Sequence, residues 1–532
     1  MKKLKKALLI ALSFAFAATS LTGCGKNDSK EPTDLNDNAV TAEIIGIDLT
    51  NEEYAFGVDK NQPELLEETN AFIEQIKEDG TFDDICNNYF GDGTPVAVKS
   101  APFDASKDQL IVATNAAFEP FEYMEGDFYY GIDMEIAAKL ADYLGKELVI
   151  QNMDFDSVCL SVGQQKCDIA MAGLTIKEDR KEYVNFTIPY YNAAQKLIVK
   201  SNDSSFDSCT TVVEIENILK EKGDSIKIGV QIGTTGQFYC EGDESWGFTG
   251  FPATTIGYKN GSLAVQDLIN NNIDYVIIDS APATCITEAI NDMQMASGSF
   301  KQKVEKFVDI FVEQNGYKRV LEGLKNTIII AVLGLIIGTL IGTLIATVRV
   351  IPKYKTLPKV LNAICSFYVA LFRGTPMVVQ LLVGYYVLLP ILGIHMTGVQ
   401  VSILIFGLNS GAYISEIMRS GIQSVDPGQM EAGRAVGLSF GTTMIMIVIP
   451  QAVKNILPTL GNEFIALIKE TSVVSFVGAA DLYVAFNYIG SNSYEFMVPY
   501  LVMALIYIVL VLIITLLIKI MERSLRKSDR RN

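Results

Sequence analysis

The sequence is poor in the residues on which most catalytic and metal sites depend. It has one histidine, His395, and one tryptophan in 532 residues, and its eight cysteines show no metal-ligand spacing. The Gly-x-x-x-x-Gly-Lys-Ser/Thr loop that cradles nucleotide phosphates is missing. We therefore expect no enzyme built on a Ser/His/Asp, Cys/His or metal centre, no ATP bound by that loop, and no cofactor in this chain.

Basic residues are scarce in the first part of the chain. Residues 1–320 carry 27 Lys and Arg against 51 Asp and Glu, whereas residues 321–532 carry 16 against 10. We expect no nucleic-acid partner, because phosphate recognition needs a basic surface. The second part has few charges and long apolar runs, so the sequence predicts an acidic soluble body followed by a membrane domain.

The first 23 residues have the pattern of an export signal. Four lysines within the first six residues precede the apolar stretch Ala7–Ala18, and Leu21-Thr22-Gly23-Cys24 follows. These four residues resemble a bacterial lipobox, which implies cleavage before Cys24 and its lipidation; an ordinary signal cut and an uncleaved anchor are the alternatives. Residues 24–41 are polar and predict a tether. Six exported cysteines remain, for which disulfides and free thiols are both open.

Residues 109–172 alternate short apolar runs with amphipathic segments. Strands and helices are predicted in turn at 110–113, 134–144, 148–150, 156–163 and 168–172. A second block of the same kind begins with a strand at 227–230 and ends with one at 275–278. This order predicts two α/β lobes with mostly parallel sheets and a small-ligand cleft at the strand ends.

Several stretches give these blocks a more specific character. They are Ala113–Tyr123, Gly131–Glu135, Asn152–Phe155, and Asp168–Ile176 with Arg180 after it. Together they resemble the polar amino-acid binding proteins of ABC importers, which have the type II periplasmic binding fold. The resemblance covers residues 42–295 and implies a two-lobed domain that closes on a free amino acid.

The resemblance implies a partner for each group of the amino acid. Arg180 and the loop 173–175 would bind the carboxylate through a planar cation, backbone N–H groups and a hydroxyl. Asp279 would bind the ammonium group, and Phe118 and Phe155 would be the aromatic walls. The full predicted ligand set is Asn115, Phe118, Phe155, Ala172, Gly173, Thr175, Arg180, Gln231, Thr234, Thr235 and Asp279.

Each of these residues also has an ordinary structural explanation. Arg180 would be a solvated charge, Asp279 a helix cap, the two phenylalanines core residues and Gln231 a surface strand residue. The neutral side chains at positions 115 and 231 favour glutamine or another uncharged polar ligand, whereas Glu119 and Glu122 nearby favour a basic one.

The order of the motifs departs from the family. Residues 52–58, 63–78 and 80–91 resemble the hinge strand, helix and closing aromatic stretch that end the family's domain, but here they stand at its beginning. Residues 43–48 are predicted as an edge strand of the second lobe. We interpret this order as a circular permutation, which domains tolerate where their termini lie close together. The alternative is a remnant of a lost upstream domain, which would leave an exposed sheet edge.

Five membrane spans are predicted in the second half. They lie at 327–348, 376–394, 398–418, 444–467 and 496–518. Gly334, Gly338 and Gly342 recur every four residues and predict a face for close helix packing. Basic clusters after the first and last spans would both be cytoplasmic if the binding domain is outside. The predicted domains are signal 1–23, tether 24–41, solute-binding domain 42–300, linker 301–320, permease domain 321–520 and basic cytoplasmic tail 521–532.

A short motif lies between the third and fourth spans. Residues 431–437 read Glu-Ala-Gly-Arg-Ala-Val-Gly, and nine residues separate them from Ile447-Val448-Ile449-Pro450. This spacing resembles the EAA loop of ABC importer permeases of the glutamine, histidine and arginine type, although Gly433 replaces the usual alanine. The resemblance implies that the loop docks on an ATP-binding subunit. The residues predicted to couple are Glu431, Ala432, Gly433, Arg434 and Gly437.

The sequence therefore predicts the solute-binding and permease subunit of an ATP-driven amino-acid importer in the bacterial cell membrane. Its expected partners are a separate ABC ATP-binding subunit, a second permease domain, membrane lipid and a polar amino acid. A ligand-gated channel is one alternative, but it predicts a filter such as Thr-Val-Gly-Tyr-Gly, which the sequence lacks. A ligand sensor is the other, and it predicts a signalling domain after the last span. The charged residues Glu416, Glu463 and Lys469 would line a substrate path or orient helices.

Overall fold

The computed structural model describes residues 40–295, 300–351, 356–394 and 396–529. The predicted signal 1–23, Cys24 and nearly all of the tether lie outside these residues. The chain divides into two compact bodies. The first consists of the residues up to 317 together with 487–500, and the second of 318–486 and the residues from 501 onward.

The first body is an α/β structure. Its strands are β1 Ala42–Ile44, β2 Glu52–Tyr54, β3 Gly57–Asp59, β4 Gln109–Thr114, β5 Tyr123–Glu125, β6 Phe128–Tyr130, β7 Glu147–Asn152, β8 Ile169–Ala170, β9 Val184–Phe186, β10 Tyr191–Ala193, β11 Gln195–Lys200, β12 Lys227–Gln231, β13 Thr254–Tyr258 and β14 Tyr275–Asp279. Its longer helices are α1 Pro63–Glu78, α2 Thr81–Phe90, α3 Ile132–Leu144, α4 Val158–Gly163, α5 Val212–Lys222, α6 Thr235–Glu241, α7 Gly261–Ile269, α8 Ser280–Met295 and α9 Phe300–Val308.

Two sheets define two lobes. The sheet of lobe one has the strand order β7-β4-β8-β3-β9, and that of lobe two has the order β1-β11-β14-β12-β13. Strand β4 runs parallel to β7 and β8, and β12 runs parallel to β13 and β14. Strands β2 and β10 form an antiparallel ribbon outside both sheets. The prediction of two α/β lobes is confirmed, but their sheets are mixed rather than mostly parallel, because β3 runs antiparallel to β8 and β9, and β11 runs antiparallel to β1 and β14.

The segment that precedes the ligand motifs completes both sheets. Strand β3 lies between β8 and β9, and its Gly57 is paired with Ala170 on one side and Phe186 on the other. Strand β1 pairs with β11 at the edge of the lobe two sheet. Without β3, two strands would lose their shared neighbour and leave backbone groups unpaired. This placement favours the permutation over the remnant.

The predicted hinge strand over 52–58 is two short strands. Its break falls at Ala55 and Phe56, which are fully buried. There the amide of Ala55 donates to the carbonyl of Leu174, and the amide of Phe56 donates to the hydroxyl of Thr187. The chain thus leaves the β2 ribbon and enters the lobe one sheet with its backbone groups satisfied.

Apolar residues of lobe two pack on both faces of its sheet. Ile277 of β14 belongs to one buried cluster with Ile228 and Val230, whereas its neighbours Val276 and Ile278 belong to another on the opposite face. This alternation follows from the period of two in a strand. Burying one such side chain stabilises the fold by about 1.5–3 kcal/mol.

Residues 301–320, predicted as a linker, are mostly helical. They form most of α9, a π-helical turn at Asp309–Glu313 and the start of the next helix. Val304, Phe307 and Val308 of α9 are buried at the spacing of one helix face, which accounts for the order. The seven cysteines among the described residues are free thiols.

The second body is helical. Its helices are α10 Gly316–Val350, α11 Thr356–Gly374, α12 Met377–Val383, α13 Leu389–Ile391, α14 Gly398–Gln423, α15 Pro427–Ala435, α16 Phe440–Thr443, α17 Ile449–Glu470, α18 Leu482–Ser493 and α19 Met497–Asp529. The first and last of these helices begin in the first body, and the penultimate one ends there.

Among the residues that the structure describes, four stretches are long and apolar enough to cross a membrane. They are 316–350, 398–423, 440–477 and 497–523, and each contains or overlaps a predicted span. The predicted span 376–394 is different, because it forms only the second arm of a helix pair, 356–374 and 377–391, that is bent by 108°. The first arm, α11, was not predicted, since Lys359, Asn362 and Arg373 interrupt its apolar pattern.

The glycines of α10 face α14 closely, as predicted. A Cβ added at Gly338 would lie 2.7 Å from the Cβ of Ser410, and one at Gly342 would lie 2.8 Å from Cγ2 of Ile414. The fit is reciprocal, because a Cβ at Gly407 of α14 would lie 2.5 Å from Cγ2 of Ile337. Small residues thus let these two backbones approach each other.

Candidate ligand cleft and coupling loop

The predicted ligand residues lie at the carboxyl ends of strands. Asn115 follows β4, Gly173 follows β8, and Gln231 and Asp279 are the last residues of β12 and β14. Ligands of α/β sheets bind at this edge, because loops there carry side chains and free backbone groups. The two edges meet, since the Thr235 hydroxyl of lobe two donates to that of Thr175 in lobe one at 3.3 Å.

Arg180 spans the cleft. Its Nη1 donates to the carbonyl of Thr175 in lobe one at 2.7 Å, and its Nη2 donates to the carbonyl of Gly233 in lobe two at 3.0 Å. The guanidinium carbon lies 5.2 Å from the ring centre of Phe155. These contacts fix a planar cation between the lobes, and they argue against a freely solvated charge.

Two ion pairs hold the lobes together beside Arg180. Lys177, which is 2% exposed, lies 2.8 Å from Asp243 of lobe two and 3.2 Å from the ring centre of Phe238. This ammonium group holds the pKa of Asp243 at about 2. Lys259 of lobe two lies 3.0 Å from Asp154 of lobe one. The first body therefore has a closed cleft.

Asp279 lies in a buried hydrogen-bond network. Its carboxylate accepts a bond from the hydroxyl of Tyr54. Nearby, Glu52 accepts bonds from Thr175 at 2.8 Å and from Gln195 at 3.0 Å. Burial, together with the negative charge of Glu52, raises the pKa of Asp279 to about 7. A positively charged ligand group here would favour the ionised carboxylate.

The Gly173 amide does not point to an open cleft in this structure. It donates to Oδ2 of Asp133 at 2.9 Å, and Tyr190 donates to Oδ1 of the same carboxylate at 2.6 Å. Gly173 has a φ of +53°, and a Cβ there would lie 2.9 Å from Phe118. Glycine is therefore required both for the backbone conformation and for the contact with the aromatic ring. Its neighbour Ala172 is fully buried.

Several buried polar atoms around the cleft have no hydrogen-bond partner among the described residues. Both carboxylate oxygens of Glu122 are in this group, as are Oδ1 of Asn115 and Nε2 of Gln231. Buried polar groups are normally paired, so each of these atoms is a candidate for a ligand contact. Asn115 also donates to the carbonyl of Met153 at 2.7 Å, and Thr234 donates to the carbonyl of Gln231 at 2.8 Å.

The predicted coupling loop is a short helix with defined ends. Asp426 accepts a bond from the amide of Gly428 and caps α15. After the helix, Gly437 has a φ of +87°, which turns the chain as expected for a glycine that follows a helix. A Cβ at Gly433 would lie 2.4 Å from Cγ2 of Thr443, which explains why alanine is absent at this position. Arg434 donates to the carbonyl of Leu438.

Known proteins match both bodies. Residues 110–324 match the bacterial extracellular solute-binding proteins of family 3, and residues 338–527 match the inner membrane component of binding-protein-dependent transport systems. The arginine transport system permease protein ArtQ of Bacillus subtilis (strain 168) is 38% identical over 166 residues, which are 31% of this chain and 76% of that protein.

Two further proteins are similar to this chain. The putative glutamine transport system permease protein GlnP of Rickettsia bellii (strain RML369-C) is 40% identical over 146 residues, which are 27% of this chain and 67% of that protein. A crystal structure of an amino acid ABC transporter with histidines is 38% identical, covers 39% of this chain and 94% of its own, and has a TM-score of 0.36.

The chain belongs to the amino-acid permeases of ABC transporters. It is a multi-pass membrane protein that carries a family 3 solute-binding domain in the same chain as its permease domain. The solute-binding match begins at residue 110, after the segment that supplies β1, β2 and β3.

Some residues of this permease were not predicted to take part in the cleft. Tyr54 and Glu52 contact Asp279 and Thr175 respectively, but the sequence marked them only as a hinge strand. Lys177, in the loop before Arg180, was also missed. The signal available was its position between two predicted ligand residues, which is weak without the distant partner Asp243.

Two of the three charged residues predicted in or near the permease spans, Glu416 and Glu463, have side-chain partners. Glu416 of α14 is bonded to Arg349 of α10 and lies 2.7 Å from Nη2 of Arg419. Ser410 donates to Glu463 at 3.0 Å, whereas Lys469 is exposed. The first two contacts favour the orientation of helices over a substrate path for Glu416.

Proposed function

We propose that this chain binds a polar amino acid outside the cell and passes it across the membrane. The observation that carries the proposal is the closed cleft, in which Arg180 bridges both lobes and Asp279 is a buried carboxylate at a strand end. An α-amino acid presents a carboxylate and an ammonium group, which these two residues would bind as charge-assisted pairs. The aromatic rings of Phe118 and Phe155 would enclose the rest.

L-Glutamine is the ligand we favour. The acceptor Oδ1 of Asn115 and the donor Nε2 of Gln231 are buried and have no partner among the described residues. A carboxamide side chain supplies the matching N–H donors and carbonyl acceptor. Glu122 is the counter-argument, because its carboxylate oxygens suit a basic side chain. Its pKa is raised well above the ordinary value by burial and by the charge of Asp133, so a neutral Glu122 is compatible with an uncharged ligand.

Transport would follow from closure of the lobes. The capped helix α15, with Glu431 and Arg434, would dock on a separate ATP-binding subunit, and two permease domains would form the path. The N-terminal signal and Cys24 would place and anchor the binding domain on the outer face in a lipid-linked form. A ligand-gated channel is not favoured, since both halves match transport proteins.

Calorimetry on the full-length protein in lipid nanodiscs tests the binding step. The protein is titrated with the twenty amino acids and cystine, next to an Arg180→Ala variant. We expect one polar amino acid to bind, and the substitution to weaken its binding by about 2–5 kcal/mol, because the ligand carboxylate would be buried without its cation.

Lys181→Ala is the matched control. Lys181 is the next residue and lies 2.6 Å from Glu178 on the exposed surface, so its removal should leave the affinity within about twofold. Unchanged affinity in Arg180→Ala, or a folded wild-type protein that binds none of these amino acids, would contradict the proposal.

A further inference from the structure

Residues 487–500 comprise the end of α18, the turn after it and the start of α19, and they belong to the first body. We name them the bridging segment. Together with residues of both lobes they line a surface cavity, whose walls include Glu119 and Met124 of lobe one, Ser262 and Ile286 of lobe two, and Asn492 and Tyr494 of the segment. This cavity is separate from the predicted ligand residues.

The bridging segment makes polar contacts with lobe one. The hydroxyl of Tyr494 donates to the carboxylate of Glu119, and the side-chain amide of Asn492 donates to the carbonyl of Met124 in β5. The hydroxyl of Tyr488 donates to the carbonyl of Gly126 at 3.1 Å. All three acceptors lie between Glu119 and Gly126, so the segment follows one edge of lobe one. Glu119 therefore faces this segment and not the amino-acid site.

The same segment contacts lobe two. The ring of Tyr494 packs against the buried cluster that contains Ile278 and Ile286. Asn260, which is 2% exposed, donates to the hydroxyl of Ser491 at 3.2 Å while its side-chain oxygen caps α7. Tyr494 thus has its ring on one lobe and its hydroxyl on the other.

The backbone around Tyr494 is fixed in an uncommon conformation. Tyr494 has a φ of +51°, which a bulky residue rarely adopts unless its surroundings hold it there. Its own amide donates to Ser491, and the next amide donates to Gly490. The carboxylate of Glu495 accepts the amides of Met497 and Val498 at the start of α19 and lies 3.5 Å from Lys303.

We propose that the bridging segment is an intramolecular clasp that selectively stabilises the closed arrangement of the two lobes. Contacts with both lobes at once fit only one relative position of the lobes, and in this structure that is the position in which Lys177 and Asp243 also meet. An element that binds the closed state better than the open one raises the affinity for a ligand that needs closure. The inference rests on the proposed function, because it assumes that an amino acid closes the cleft.

Reciprocity gives the clasp a second signature. If the clasp favours amino-acid binding, the amino acid must stabilise the clasp by the same factor. Hydrogen exchange of the amides of residues 487–500 should therefore slow when the cleft is occupied. A segment that merely anchors one lobe would show no such response, because its contacts would be the same in the open and closed states.

The test compares two tyrosines of the segment in the full-length protein in nanodiscs. Tyr494→Phe keeps the ring on lobe two and removes the hydroxyl that binds Glu119. Tyr500→Phe is the matched control, because the hydroxyl of Tyr500 bonds to Asn487 within the segment. The probe is whichever of L-glutamine, L-arginine and L-cystine binds the wild-type protein, and Kd and hydrogen exchange are measured for each variant.

We expect Tyr494→Phe to weaken probe binding about 3- to 30-fold, the size of one hydrogen bond to a carboxylate made only in the closed state. Tyr500→Phe should change it less than twofold. Probe binding should slow exchange in residues 487–500 of the wild-type protein and less so in Tyr494→Phe. Ser491→Ala removes the contact with Asn260 and is the second variant should Tyr494→Phe fail to fold.

Two outcomes overturn the clasp for different reasons. If the wild-type protein binds a probe but the folded Tyr494→Phe and Ser491→Ala variants bind it equally well, with no probe-dependent exchange in the segment, the clasp alone is wrong. If the folded wild-type protein binds none of the three probes nor any other common amino acid, the proposed function fails and the clasp with it.

Discussion

The two bodies of this chain differ in the partners of their buried carboxylates and in the use of small residues. In the first body, Glu122, Asp133 and Asp279 are buried carboxylates whose hydrogen-bond donors, where they have them among the described residues, are uncharged groups. In the second body, Glu416 is bonded to two arginines, and glycines let α10 and α14 approach each other. Burying a carboxylate without a cationic partner costs free energy, so the arrangement in the first body suits a site that binds a positively charged group. The second suits a helix interface that is complete.

This difference predicts that the second body is the more sensitive to added volume. Gly338→Leu would place a side chain where a single Cβ already lies 2.7 Å from Ser410. We expect a loss of stability of about 3 kcal/mol or more and little folded protein, because overpacking a well-packed core costs about 1–3 kcal/mol and occasionally more. The yield of monodisperse protein in detergent and its thermal midpoint measure the effect.

Gly374→Ala is the control for this substitution. A Cβ at Gly374 would have no heavy atom within 4 Å outside its own helix and chain neighbours, so alanine should be tolerated. If Gly338→Leu gives as much folded protein as Gly374→Ala, then α10 and α14 do not depend on their close approach, and the contrast between the two bodies does not hold.

The first body should instead respond to pH. Because the pKa of Asp279 in the folded protein is raised to about 7, this carboxyl keeps a proton that the unfolded chain has already lost above its ordinary pKa near 4. Its contribution to stability is therefore greatest below pH 4 and falls as pH rises toward 7. Amino-acid affinity should change in the opposite direction, because an ammonium group needs the ionised carboxylate. As pH increases toward 7, the affinity should increase by up to about tenfold per pH unit.

Asp279→Asn isolates this titration from the other carboxylates. The variant should bind the amino acid more weakly at pH 8 and should lose most of the increase in affinity between pH 5.5 and 7.5. Titration calorimetry across that range gives both values. A pH dependence identical in the variant and the wild-type protein would mean that Asp279 does not change its protonation on binding.

Sequence reasoning predicted the parts of this structure that depend on local pattern. The helix 63–78 begins and ends where its proline and amphipathic spacing place it, and the glycine face of α10 lies against a neighbouring helix. The strand-end positions of Asn115, Gly173, Gln231 and Asp279 also follow from the motifs, because an α/β fold puts such residues at one edge.

The rest depends on partners far apart along the chain. Tyr54 and Asp279 are separated by 225 residues, and Tyr494 and Glu119 by 375. Nothing in the local sequence of either residue indicates its partner. The helix α11 was missed for a different reason, since a bent pair of helices does not produce one continuous apolar run. Glu119 is expected near the cleft because it lies close to Asn115 along the chain, whereas its observed partner Tyr494 is distant in the sequence.

The smallest predicted effect concerns the ion pair between Lys259 and Asp154. The two side chains lie 3.0 Å apart across the lobes but are 30% and 28% exposed, unlike the pair of Lys177, which is 2% exposed. Solvent screens the first pair, and exposed pairs contribute about 0–1 kcal/mol.

We expect Lys259→Met to weaken amino-acid binding less than about fivefold and Lys177→Met to weaken it more, because the second substitution leaves Asp243 without its ammonium partner. Raising the salt concentration from about 0.05 to about 0.5 M shortens the Debye length from above about 10 Å to below it. This change should abolish the effect of Lys259→Met on binding and leave most of the effect of Lys177→Met. Equal losses in the two variants would show that exposure does not govern how these lobes are held closed.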